Sequence, residues 1–177
     1  MARAVSTERM VTDAFSTLVE MGTGWNHADA NGDREDVIFY LVGEDIGDSS
    51  VLYVLSAGYA GLVVEFVCTC EFSLPEEHIE RVRVVLAYCN SADKYPGHLD
   101  LLSEQGLIML EHRYSWVVPK TAELVAEIQD RQNEILDFCR CCVQVIQAAC
   151  VAGADIMRTV ELGFLGFGQE NRASKDA

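Results

Sequence analysis

The sequence predicts an α+β domain: a five-stranded antiparallel sheet with flanking helices, in the order α-β-β-β-α-β-β-α. Three observations predict it. Strand-like runs fall into a group of three and a group of two, with links too short for a parallel crossover. Apolar residues recur at helical spacing in three other stretches. The 177-residue chain is 50% apolar and 23% charged, which suits one packed core.

The first helix is expected over Thr7–Met21, where Val11, Ala14, Phe15, Leu18 and Val19 share a face and Gly22 supplies a stop. A polar, turn-rich stretch around Asn31-Gly32 follows. Strands are expected at Val37–Val42, Val51–Leu55 and Leu62–Phe72, with links of eight and six residues. Ser73 then caps a helix, with Glu76 completing a capping box and Pro75 in the first turn. Ile79, Val82, Leu86 and Cys89 line one face of it. His98–Leu102 and Leu107–Val117 form a strand pair around a four-residue loop containing Gly106. A long helix is expected from Pro119 to Gly153, with a stripe through Leu124, Ile128, Ile135, Cys139, Cys142, Ile146 and Ala149. Residues 1–153 thus make the domain. Residues 154–177 make a C-terminal extension, first apolar with Gly163, Gly166 and Gly168, then polar.

Charge narrows the partners. There are 28 acidic and 13 basic side chains, a formal charge of −15. That field repels phosphate backbones and anionic lipid, so neither nucleic acid nor membrane is expected as a partner, and basic polypeptides are favoured. The longest uncharged run, Ser49–Val64, has sixteen residues, short of the ~18 that suggest a membrane span. It also contains the turn Ser56-Ala57-Gly58, so a hairpin is expected there. The N-terminal residues lack the apolar segment of a secretory peptide. With seven cysteines, an odd number, a reduced cytoplasmic protein is expected.

Along Leu62–Phe72, apolar residues alternate with mixed ones, but Val37–Val42 and Val51–Leu55 are apolar on both faces. Helices cover one face of a sheet of this kind. Something else is then expected over part of the other: a second copy in a homodimer is the cover expected, with the C-terminal extension or a client as the alternatives.

The strand Asp36-Val-Ile-Phe-Tyr-Leu-Val, the run Leu62-Val-Val-Glu-Phe-Val, and the helix opening at Leu74-Pro-Glu-Glu and ending Leu86-Ala-Tyr-Cys-Asn90 resemble the YbjN family of small bacterial proteins. That family is similar in fold to class I type III secretion chaperones. The likeness spans roughly Thr7–Gly153. Asn90 matches the last residue of the family's Leu-Asn-x-x-Asn-like helix end, while Ala87 stands where the first Asn would be. The extension departs from the pattern. The resemblance implies a non-enzymatic, often dimeric protein with chaperone-like or regulatory roles.

The cysteines and histidines are the candidates for chemistry beyond packing. Cys68-x-Cys70 and Cys139-x-x-Cys142 could converge as four thiolates around zinc or an iron–sulfur cluster. Free cysteine also packs as a small hydrophobe, and core packing is the reading adopted, with no metal or cofactor expected. His27, His78, His98 and His112 lie in no nucleophile motif, so no catalytic residue is assigned. Asp29–Asp33 hints at a calcium loop, but Arg34 and Tyr40 stand where glycine and glutamate are needed. The expected function is a protein-binding module that holds a polypeptide partner through Phe39, Leu41, Tyr53 and Trp116 on the sheet and Leu162, Phe164 and Phe167 in the extension. The extension is expected to add a strand or an apolar plug. The alternatives are a dedicated type III secretion chaperone for one effector, and a thiol- or metal-dependent protein using the cysteines.

Overall fold

The computed structural model describes residues 7–28, 39–46, 49–60, 62–72, 74–91, 97–104, 107–119, 123–151 and 153–164. Among them, four helices pack on an antiparallel sheet. The sheet has six strands where five were expected. They are β1 (Asn26–His27), β2 (Phe39–Ile46), β3 (Ser49–Ala60), β4 (Val63–Phe72), β5 (His98–Glu104) and β6 (Leu107–Val117), in spatial order β1-β2-β3-β4-β6-β5. The added strand is two residues long and pairs only with Phe39 and Tyr40, too short to leave an alternating pattern. Val37, Ile38 and the Asp29–Asp33 turn lie outside the described residues.

Helix α1 (Thr7–Glu20) follows its expected course. It ends in a Schellman turn. The Thr23 N–H donates to the Leu18 carbonyl and the Gly22 N–H to that of Val19, with Gly22 at φ 71°. Helix α2 (Ile79–Ser91) is preceded by a 3₁₀ turn, Glu76–His78, whose His78 N–H donates to the Pro75 carbonyl. The expected Ser73 cap lies outside the described residues.

Helix α3 (Leu124–Ala149) is shorter than expected at both ends. Before it, the Val118 N–H still donates to the Leu62 carbonyl, so Pro119 follows the sheet directly. After it, Arg81 of α2 caps the helix end. Its Nε donates to the Ala149 carbonyl (2.8 Å) and its Nη2 to that of Ala154 (2.6 Å). The cation thus occupies the negative end of the α3 dipole.

The described part of the extension forms a helix, α4 (Ile156–Phe164), where a strand or an apolar plug was expected. Asp155 caps it by accepting from the Arg158 N–H. Val160 and Phe164 are buried against the domain. A Cβ at Gly163 would meet Val145 of α3, so glycine permits the close approach of the two helices.

All four helices lie on one face of the sheet. From α1, Phe15 stacks on Phe39 (ring centroids 4.7 Å apart) and meets Trp25 edge-on (5.0 Å). From α3, Phe138 lies edge-on to His112 of β6 (4.9 Å), and Phe164 of α4 approaches Phe138 (6.2 Å). The Trp25 indole N–H donates to Gln132 of α3 (2.8 Å), which satisfies a buried donor.

The β5 edge is blocked by Asn90, at the end of α2. Its Oδ1 accepts from the Leu99 N–H (2.9 Å) and its Nδ2 donates to the Leu99 carbonyl (2.8 Å). One side-chain amide thereby mimics a neighbouring strand on an otherwise open edge. Replacing Asn90 with alanine removes both bonds. Urea denaturation should show about 2 kcal/mol less stability, and light scattering a rise in edge-to-edge association. An unchanged midpoint would mean that the amide contributes nothing.

Candidate functional site

Strand parity decides which side chains remain available. On β3, residues Val51, Tyr53, Leu55 and Ala57 point towards the helices, and their partners Leu41, Phe39, Cys70, Cys68 and Phe66 do the same. The alternate residues point the other way. Among the described residues no helix packs on that second face.

Most of the sequence-predicted partner residues lie on the covered face. Phe39, Leu41 and Trp116 are buried in the core, and Tyr53 is half-buried beside them. Phe164 is buried under α4, Leu162 is exposed on the same helix, and Phe167 lies outside the described residues. The structure brings the first three into one core but not onto a free surface.

The open face offers a different set. Val42 of β2 lies directly opposite Val54 of β3, and Leu52 is two residues along from Val54 on the same face. They are 51%, 38% and 41% exposed. Tyr40 and Val67, both half-buried, extend the patch towards β4. Beyond it the surface turns acidic, with Glu65 and Glu71 of β4 and Asp100 of β5, while Glu111 of β6 is buried. Arg113 pairs with Glu111 (2.6 Å). The face is thus an apolar patch beside an acidic band. Alternation alone could have separated these residues from the core set. It could not say which set the helices would cover.

The covered face carries a second feature, at the contact of β4 with α3. Cys68 and Cys70, two apart on β4, point to the same side, and Cys139 of α3 comes down onto them. The three Sγ atoms lie within 4.8 Å of one another, and those of Cys68 and Cys70 are 4.0 Å apart. All three residues have no exposed surface. Cys142, the fourth residue of the sequence pattern, is a free thiol that turns instead towards the thiol of Cys89 of α2, its hydrogen-bonding neighbour. At 100° per residue, three residues turn Cys142 about 60° away from Cys139.

The thiols are not equivalent. Hydrogen bonds from Cys139 and then Cys68 pull Cys70 down to about 5, against burial, and His112 adds to the pull. Cys68 also feels a lowering hydrogen bond from Cys139, but the bond to Cys70 and burial outweigh it and raise its pKa. Donation to Cys68 and Cys70, reinforced by burial, pushes Cys139 up. Burial also lifts Cys141 to about 11. A reactive cysteine needs both thiolate character and access. The neighbouring thiols draw Cys70 towards the first, but it lacks the second, since no surface of it meets solvent.

Glycine fixes the surroundings at two points. A Cβ at Gly43 would run into the Tyr53 ring, which lies across β2. Gly97, at φ 81°, lies against the Arg113 carbonyl and His112 Nε2, where a Cβ has no room. No described helix is long and apolar enough to cross a membrane. Compared with protein-family models, curated proteins and solved structures, the chain matches none.

Proposed function

We propose that the protein is a non-catalytic, chaperone-like or regulatory binding module whose helix-free sheet face holds a polypeptide partner. The observation that carries this is the patch of exposed Val42, Leu52 and Val54 on the sheet face that, among the described residues, no helix covers. Solvated apolar strand surface is costly, at about 25 cal/mol per Å², so a cover for the patch is favoured.

The cover is a segment that is both apolar and basic. Its apolar side chains fill the patch, and its cations meet Glu65, Glu71 and Asp100 on the neighbouring strands. A second copy of the chain is the weaker occupant. It would set two acid-bordered faces together, each belonging to a chain of charge −15.

The test is calorimetric titration with a strand-forming peptide of alternating leucine and lysine, beside its leucine–glutamate counterpart. The lysine peptide should bind at least tenfold more tightly, and its affinity should fall as salt rises. Equal affinity of the two peptides would contradict the basic partner. Light scattering on the free protein should report a monomer. A stable dimer protecting the same face would assign that face to self-association instead.

A further inference from the structure

We infer that Cys68, Cys70 and Cys139 form a binding site for one copper(I) ion, a role separate from that of the open sheet face. Three soft donors from two rigid elements converge within 4.8 Å at the centre of the core. Strand geometry puts Cys68 and Cys70 on one side of β4, and Cys139 on α3 completes a triangle above them. Tight packing alone calls for small residues here, but three thiols in mutual sulfur contact also make a ligand set.

The number of donors selects the ion. Structural zinc takes four protein ligands, and among the described residues only three thiols share this space. Cys142 is engaged with Cys89. No surface of the three residues is open to bulk water that could complete a tetrahedron. Thiolate donors without carboxylates select soft ions, and copper(I) accepts a low-coordinate, all-sulfur shell. Magnesium and calcium need oxygen donors, which the trio lacks.

The surroundings suit such an ion. Leu55 and His112 flank Cys68 across the sheet, and Tyr53 and Leu110 flank Cys70. Two of these four are leucines, and no surface of the three cysteines is open to solvent. Tyr53 is the partly exposed member of the group, so its ring is the side chain an entering ion must pass. On binding, three Cu–S bonds form and the thiol protons leave to solvent. The ion enters already as copper(I), so no electron transfer is involved.

The experiment is an anaerobic titration of the full, reduced chain with copper(I), in competition with a bicinchoninate chelator. One copper per chain should be withdrawn from the chelator, and the thermal midpoint should rise with it. X-ray absorption should report a shell of three sulfurs. Cys139→Ala should lower the copper affinity at least a hundredfold, while Cys150→Ala, outside the trio, should leave it unchanged. If Cys139→Ala fails to fold, Cys68→Ala replaces it, and the sulfur count on the unaltered chain decides without either variant. No copper taken from the chelator, a shell containing nitrogen or oxygen, or full affinity in Cys139→Ala would each overturn the assignment. Zinc bound more tightly than copper(I) would overturn it as well.

Discussion

Phe15→Ala should lower the unfolding free energy by about 3–5 kcal/mol, since a fully buried aromatic ring is removed and a cavity remains. Phe15 lies at the meeting point of α1 and the sheet. Its ring stacks on Phe39, meets Trp25 edge-on and leans towards Phe66 at 6.5 Å. Three aromatic partners thus surround it at the helix–sheet contact. For a chain of this size the thermal midpoint should drop by roughly 6–20 °C. A domain of ~5–15 kcal/mol total stability would lose a large share of it. Calorimetry checks this. A drop under 1 kcal/mol would mean that α1 is not docked on the sheet.

The second large effect is expected on binding, with little on stability. Val42→Lys combined with Val54→Glu replaces the facing valines of the open patch with an ion pair across the same two strands. Opposite charges at facing positions are compatible with an antiparallel pair, so the fold should hold to within about 1 kcal/mol. The formal charge of −15 is also unchanged, since one substitution cancels the other. The apolar content of the patch alone is altered. Affinity for the leucine–lysine peptide should fall at least tenfold. Retained affinity would show that binding is a diffuse charge effect that does not use this face.

These two variants probe opposite faces of one sheet, and they mark how far the sequence could be read. Strand and helix positions follow from periodicity where it is sustained. Helix α1 stops at Gly22, as expected, because glycine takes the left-handed backbone that a Schellman turn requires. Strand β6 keeps its expected bounds, Leu107–Val117. The failures have specific causes. Three glycines in the extension obscured a helical pattern, Ile156, Val160 and Phe164 at intervals of four, with Asp155 as its cap. Gly163 is there for close packing on Val145, not for a turn. Beyond α3, Gly153 takes the left-handed backbone expected of a stop, but the carbonyl of Ala149 is capped by Arg81, a residue 68 positions away, which no local signal announces.

The candidate surfaces divide in the same way. That β2 and β3 are apolar on both faces is legible from alternation. Which face the helices take is a tertiary outcome, so the side chains assigned to a partner, Phe39, Leu41 and Trp116, lie in the core. Convergence of Cys68, Cys70 and Cys139 follows from their positions on core faces. The diversion of Cys142 to Cys89 depends on where α2 lies beside α3, and spacing along the chain does not encode that. Asn90 was visible only as a helix end, yet its amide closes the β5 edge.

Methyl-resolved NMR, recorded while the leucine–lysine peptide is added, bears most directly on the docking face. The predicted result is a set of shift changes confined to the methyls of Val42, Leu52, Val54 and Val67, with those of Val11, Ile128 and Ile146 in the helical layer unmoved. Changes centred on the helices, or no changes at saturating peptide, would contradict it.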